Sequence, residues 1–156
     1  SIYFAGATNY LTQLTTNLYD TVKVRAFKAV NQTVPKTTWT KVAYEAREYD
    51  SLGLFNTNLS RFVPNQNGFY QLYATVRYEQ STQGARELAV YRNGIAHAYG
   101  STVAASGPSP LGVTVSDVID LTTNDYIEVY TYQSSNGDTV ILSNQVNSFF
   151  SIYKLN

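Results

Sequence analysis

An all-β sandwich or barrel is the fold class this sequence predicts, and three observations carry the prediction. From Val24 onward, short runs of β-prone residues alternate with turn signals. The run over 69–79 alternates strictly: Tyr70, Leu72, Ala74, Val76 and Tyr78 share one face, and Phe69, Gln71, Tyr73, Thr75 and Arg77 share the other. Asn93-Gly94, the strongest short hairpin signal, falls between Ala89-Val90-Tyr91 and Ile95-Ala96-His97.

Taken in order, residues 1–23 stand apart as an N-terminal arm. Ser1 to Ala7 is largely apolar, and Leu11, Leu14, Leu18 and Val22 then recur at near-helical spacing. Five threonines between Thr8 and Thr21 argue against a stable isolated helix, so the arm is extended or partly helical and needs a surface to lie on. Strands are expected over 24–30, 38–44, 69–79, 87–92, 113–121, 126–132 and 148–155. Turns fall at 122–125 and 134–138, and the segment 104–112, with Pro108 and Pro110, is a surface loop. Many short strands at this spacing pack as two sheets or close into a barrel.

Composition narrows the function. A chain of 156 residues suits one domain, and a hydrophobic share of 44% is enough to build a core and argues against disorder. The charged share of 14% is well below the usual ~25%. Eleven basic and eleven acidic residues cancel, which leaves no cationic footprint for nucleic acid or acidic lipid. The chain has no cysteine, so disulfides, thiolate metal sites and a cysteine nucleophile are excluded. No apolar run approaches the ~18–20 residues of a membrane-spanning helix, and no signal-peptide pattern opens the chain. Ser1 is small enough to follow a removed initiator methionine, which fits a complete mature chain and leaves a fragment open. The 14 tyrosines read either as a surface that seeks contacts or as the ordinary preference of sheets for this residue.

Residues able to do chemistry are few and scattered. His97 follows a turn with no nucleophile motif beside it, and Gly-x-Ser-x-Gly is absent. Asp117, Asp120, Asp125, Glu128 and Asp138 do not form an Asp-x-Asp-x-Asp calcium loop, and Asn136-Gly137-Asp138 is what a hairpin turn contains anyway. Phosphate-cradling glycine loops are missing too. The expectation is a protein that is not an enzyme and holds neither metal nor cofactor. Two glycosylation-type triplets, Asn31-Gln32-Thr33 and Asn58-Leu59-Ser60, are read as chance.

Five segments, in order, resemble a known superfamily. They are Ala26-Phe27-Lys28-Ala29; Arg61-Phe62-x-Pro64-x-x-x-Gly68-Phe69-Tyr70; the Asn93-Gly94 hairpin; Val118-Ile119-Asp120-Leu121 with Asn124-Asp125-Tyr126-Ile127-Glu128-Val129; and Ser148 through Leu155. Together they resemble the superfamily of tumour necrosis factor and the complement globular head over residues 24–156. Two departures are an extra residue before Gly68 and Asn124 in place of a glycine. The resemblance implies a ten-stranded jelly-roll sandwich that forms tight homotrimers. It places Gln71, Tyr73, Thr114, Phe149 and Tyr153 facing the trimer axis, and Tyr70, Leu72, Phe150 and Ile152 in the core.

The last strand agrees from its own residues. Phe150 and Ile152 make one apolar face, and Phe149, Tyr153 and Leu155 the other. A strand of a lone sandwich shows one polar face, so the second cover is another subunit or the chain's own arm.

Two functions from different classes follow. In the first, the chain is a homotrimeric structural protein on a virion surface, decorating or cementing a capsid by docking its arm on the major capsid protein. Ile2, Tyr3, Phe4, Tyr10, Leu11, Leu14, Leu18 and Tyr19 would do the gripping, each worth roughly 1.5–3 kcal/mol when buried. In the second, the chain is an extracellular or cell-surface receptor- or glycan-binding head of a viral fibre or bacterial surface protein. Neither involves nucleic acid or a membrane.

Overall fold

The computed structural model describes residues 21–156 as two antiparallel sheets packed face to face, with no helix among them. In chain order the strands are β1 (Lys23–Phe27), β2 (Gln32–Val34), β3 (Thr40–Lys41), β4 (Ala46–Asp50), β5 (Phe55–Asn56), β6 (Arg61–Phe62), β7 (Gly68–Tyr78), β8 (Ala85–Arg92), β9 (Ile95–Ala104), β10 (Leu111–Leu121), β11 (Ile127–Gln133), β12 (Thr139–Ile141) and β13 (Phe149–Lys154). Five of the thirteen are only two or three residues long, so the longer eight carry the sandwich.

One sheet runs β2-β12-β7-β13-β1-β4, with β10 on the other edge of β7. The second runs β5-β6-β11-β8-β9, with β3 also on β11. Strand β7 is the spine of the first: β10 pairs with it from end to end, Leu111 opposite Tyr78 and Leu121 opposite Gly68. On its other side β13 pairs from Phe149 opposite Thr75 to Lys154 opposite Tyr70.

Alternation decides what is buried. Tyr70, Leu72, Ala74, Val76 and Tyr78 of β7 are all fully buried, together with Val113, Val115, Ile119 and Leu121 of β10 and Phe150 and Ile152 of β13. Facing them from the second sheet are Phe62, Leu88, Val90, Ile127 and Val129. The core also takes tyrosines, whose hydroxyls need partners there. Tyr44 donates to the Thr75 carbonyl at 3.3 Å, Tyr70 to the Gln66 carbonyl at 2.8 Å, and Tyr78 shares a hydrogen bond with Thr131 at 2.5 Å. Burial pushes the Tyr78 hydroxyl up to about 12 and raises that of Tyr44 further.

Several strand ends differ from the expectation. β1 stops at Phe27 because Lys28 turns inward: its Nζ is buried and donates to the Ala43 carbonyl at 2.6 Å, Gln32 Oε1 at 2.9 Å and Glu45 Oε1 at 3.0 Å. Burial lowers the Lys28 pKa, and Glu45 acts against that fall. Over 38–44 only Thr40–Lys41 is strand; beyond it Val42 still bonds the Val129 carbonyl, but the Tyr44 N–H is taken by Ser60 Oγ. Strand β4, unexpected from its charged residues, forms against β1 across a register shift at Arg25/Ala26. Arg86, in the inward row of β8, is fully buried; it donates to the Gln83 and Ala85 carbonyls, with its guanidinium 5.1 Å from the Tyr78 ring.

Two turns hold the register. Asn93 and Gly94 both have positive φ, +55° and +80°, as a two-residue hairpin loop between twisted strands requires. Asp125 ties this hairpin to the next turn: it accepts from the Thr122 N–H at 2.8 Å, Asn93 Nδ2 at 2.7 Å and Arg92 Nη2 at 2.8 Å. The Thr122 N–H above all, then the Asn93 amide and the Arg92 guanidinium, hold the Asp125 carboxyl well below the usual carboxylate range, although burial alone would raise it. Strand β9 then continues past the hairpin to Ala104 and crosses close over β10. A Cβ on Gly100 would stand 2.1 Å from the Thr114 carbonyl oxygen and 2.6 Å from Val115 Cβ.

Two predictions follow from these contacts. Gly100→Ala forces β9 away from β10 and is expected to cost about 2–3 kcal/mol, a Tm lowered by about 6–12 °C in thermal unfolding; an unchanged Tm refutes the close approach. Because the Asp125 carboxyl titrates lower folded than unfolded, its stabilisation is complete above its unfolded value of about 3.9 and is lost as pH falls through the depressed folded value. Denaturant titrations between about pH 6 and pH 2 are therefore expected to show a shallower loss of stability for Asp125→Asn, which starts less stable at neutral pH.

Candidate functional site

The outer face of the β7 sheet is built by the same alternation that fills the core. Its rows can be read across four strands. Arg25, Ser151, Tyr73 and Ser116 lie side by side; Lys23, Tyr153, Gln71 and Val118 form the next row; Phe27, Phe149, Thr75 and Thr114 form the third. The five residues expected to face a symmetry axis, Gln71, Tyr73, Thr114, Phe149 and Tyr153, thus fall on one face within three consecutive rows.

Among the described residues, this face carries large apolar side chains that remain exposed. Tyr153 is 48% exposed, Tyr73 37%, Val118 49% and Phe69 56%. Tyr49 of β4, opposite Arg25, extends the strip. Phe149 is half-buried because Tyr73 packs beside it, ring centroids 5.7 Å apart, and the Arg25 guanidinium covers it at 3.9 Å from the ring centroid. Arg25 is itself held, by Glu48 Oε2 at 2.6 Å and the Gln145 carbonyl at 2.7 Å. Gln71 donates to the Asp117 and Leu72 carbonyls, both at 3.3 Å. Thr114 differs from the other four: β9 crosses beside it, and Ser101 Oγ both accepts from its N–H at 2.9 Å and donates to its carbonyl at 3.2 Å. It lies at the rim of the face. At the other margin a hollow of about 490 Å³ opens beside Val22, Tyr49 and Tyr153.

The candidate arm residues Ile2, Tyr3, Phe4, Tyr10, Leu11, Leu14, Leu18 and Tyr19 lie outside the described residues. The described chain begins at Thr21, whose carbonyl accepts from Ser51 Oγ, and Val22 after it is buried in the core.

The carboxylates noted as possible oxygen ligands are spread apart by the fold, and among the described residues no group of three or more His, Asp or Glu side chains converges. Asp125 is occupied by the hairpin, and Glu128 accepts from Lys41 Nζ and Arg61 Nη2, both at 3.1 Å. Asp117 sits opposite His97, Oδ2 to Nε2 3.5 Å, where β9 crosses β10.

The outer face of the second sheet holds an aromatic patch that sequence reasoning did not assemble: Trp39, Tyr91, Tyr99, Tyr130 and Tyr132. These residues are far apart in the chain, and only the pairing of β3, β11, β8 and β9 brings them together.

No protein-family model matches this sequence, and no characterised protein matches it at the level of sequence. Solved structures do match in shape. Murine APRIL at pH 5.0 superposes with a TM-score of 0.68 at 14% identity, over 86% of this chain and 99% of that one. The globular domain of zebrafish complement 1qA gives 0.64 at 11% identity, over 87% and 98%. Eiger, a TNF from S. frugiperda, gives 0.60 at 13% identity, over 87% and 93%. At such identities what is shared is architecture: this chain has the jelly-roll sandwich of the tumour necrosis factor and complement globular heads.

Proposed function

We propose that this chain is a non-enzymatic binding or structural head that closes into a homotrimer through the outer face of its β7 sheet. The observation that carries the reading is the strip of Phe69, Tyr73, Val118 and Tyr153, apolar and open on a sheet whose inner rows already fill the core. Each such ring or aliphatic group contributes roughly 1.5–3 kcal/mol when removed from water. A stable interface needs about 800 Å² per partner, and a face five strands wide has room for it. Self-association is also what the resemblance to the trimeric superfamily implies.

Within that class, the reading advanced is decoration of a virion surface, with the apolar N-terminal arm, Ile2 to Tyr19, gripping the major capsid protein. Its support is the apolar series from Ile2 to Tyr19 and the gain in avidity when three arms leave one trimer. A second reading, a receptor- or glycan-binding head outside a cell, is favoured by one separate observation, the aromatic patch on the opposite sheet.

Two variants test these layers separately. Tyr73→Asp places a charge where the subunits meet; Tyr73 is over a third exposed in the single chain, so the variant folds but is expected to sediment as a monomer at micromolar concentration, its association weakened by about 2–5 kcal/mol. A trimeric Tyr73→Asp, or a monomeric parent, ends the trimer reading. Removing residues 1–20 keeps Val22 in the core, so the truncated chain is expected to keep its oligomeric state and Tm. In co-sedimentation with virus particles it should no longer pellet with the shell; continued attachment would overturn the arm's role.

A further inference from the structure

The patch on the outer face of the second sheet is laid out in register. Tyr130, Ala89 and Tyr99 form one row across β11, β8 and β9. Tyr132, Glu87 and Thr102 form the row on one side, and Glu128 and Tyr91 lie on the other. Trp39, next to β3, has its indole among them: 5.4 Å from the Tyr132 ring, 5.6 Å from Tyr99 and 6.4 Å from Tyr91. Tyr130 stacks on Tyr91 at 3.9 Å and 17°. Small Ala89 lies in the middle and is fully buried although it belongs to the outer row, because the rings close over it. Tyr99 is the most open of the rings, at 67% exposure, while Trp39, Tyr91, Tyr130 and Tyr132 are half-buried with an edge to water.

From this arrangement we infer that the Trp39–Tyr99–Tyr132 platform is a binding site for an uncharged oligosaccharide. Three properties select that occupant. The first is the kind of apolar surface: rings with hydroxyl tips, not aliphatic side chains. A pyranose presents a face of C–H groups, which an aromatic quadrupole attracts, and a rim of hydroxyls, which tyrosine tips can bond. A purely apolar partner would bury those phenol groups unpaired.

The second property is charge. Lys41 and Arg61 converge on Glu128, and the remaining carboxylate, Glu87, accepts from Thr102 Oγ1 at 2.9 Å. Two cations against two carboxylates leave the face neutral, so neither a polyanion nor a basic peptide is complemented. Tyrosine hydroxyls are uncharged hydrogen-bond donors at neutral pH, and burial raises the pKa of Tyr91 and of Tyr130 further in the same direction. The third is rigidity: the four tyrosines stand on hydrogen-bonded strands, Trp39 adjoins β3, and the rings brace one another, so little ordering is left for binding to do. Glu87 and Thr102, in the row beside Tyr99, supply polar partners for sugar hydroxyls at the platform's edge.

The site is on the sheet opposite the self-association face and does not rest on the trimer reading. Its test uses the fact that Trp39 is the chain's single tryptophan, so tryptophan emission reports this platform alone. The full chain is titrated with neutral hexasaccharides built of glucose, N-acetylglucosamine, mannose or galactose, alongside sialylated and sulfated ones. At least one neutral sugar is expected to change Trp39 emission saturably at millimolar concentration or below. Tyr99→Ala should weaken that binding by about tenfold or more, close to 1.4 kcal/mol, without altering oligomeric state, whereas Tyr99→Phe, which keeps the ring and loses only the hydroxyl, should be weakened less than Tyr99→Ala. Silence from every neutral sugar, a response to the charged ones alone, or a Tyr99→Ala variant that binds unchanged would each overturn the assignment.

Discussion

Strand β7 is the constraint on which the rest of the structure depends. It is hydrogen-bonded along both edges, by β10 over its whole length and by β13 over most of it. A strand so placed cannot slip or twist away, and its side chains must alternate between two environments. Five inward residues are sealed in the core. The outward ones therefore have nowhere to go but onto the opposite face, where Phe69 and Tyr73 are more apolar than a solvent-facing row of a lone sandwich needs to be. Moving the register by one residue would put Gln71 and Arg77 into the core, so the outward aromatics are as firmly specified as the buried ones.

The tyrosines show how one residue type serves three environments. Tyr44, Tyr70 and Tyr78 fill the core, each with its hydroxyl bonded. Tyr49, Tyr73 and Tyr153 lie on the outer face of the β7 sheet, and Tyr91, Tyr99, Tyr130 and Tyr132 on that of the other. Composition alone left open whether tyrosine marked contact surface or sheet preference. The fold answers that it does both, since most described tyrosines sit in or beside strands yet keep a wet edge. Low net charge is consistent with this: the outer faces are made of rings, hydroxyls and amides, and many of the charges they carry are locally paired, as in Arg25 with Glu48 and Glu128 with Lys41.

What could be read in advance followed from local periodicity. The long alternation over 69–79, the Asn93-Gly94 turn and the two-faced apolar pattern of 148–155 each state their structure within a few residues. Parity put Gln71 with Tyr73 in one strand and Phe149 with Tyr153 in another, and only the family resemblance set the two pairs on a shared face. The segment 46–50 was not legible, because Ala-Arg-Glu-Tyr-Asp has no β pattern of its own and becomes a strand only by pairing with β1. Lys28 escaped for a similar reason: a lysine is buried only where a carbonyl, an amide and a carboxylate converge, and those come from Gln32, Ala43 and Glu45. The aromatic platform was hidden most completely. Its rings come from positions 39, 91, 99, 130 and 132, and no stretch as short as a hairpin contains three of them.

The two outer faces lie on opposite sides of one core, and this separation has a functional consequence. Association through the β7 sheet would consume Phe69, Tyr73, Val118 and Tyr153 but leave Trp39 and Tyr99 facing outward. Each subunit of an assembled head would then present its own ring platform, and a weak contact at each would be repeated around the axis. Repetition of that kind raises overall attachment without any single site being strong, provided the spacing of the target permits simultaneous engagement. A shallow, neutral, aromatic surface is poorly suited to tight one-to-one binding and well suited to this arrangement. Self-association and surface recognition, as proposed, would in that sense be complementary uses of the same alternating strands.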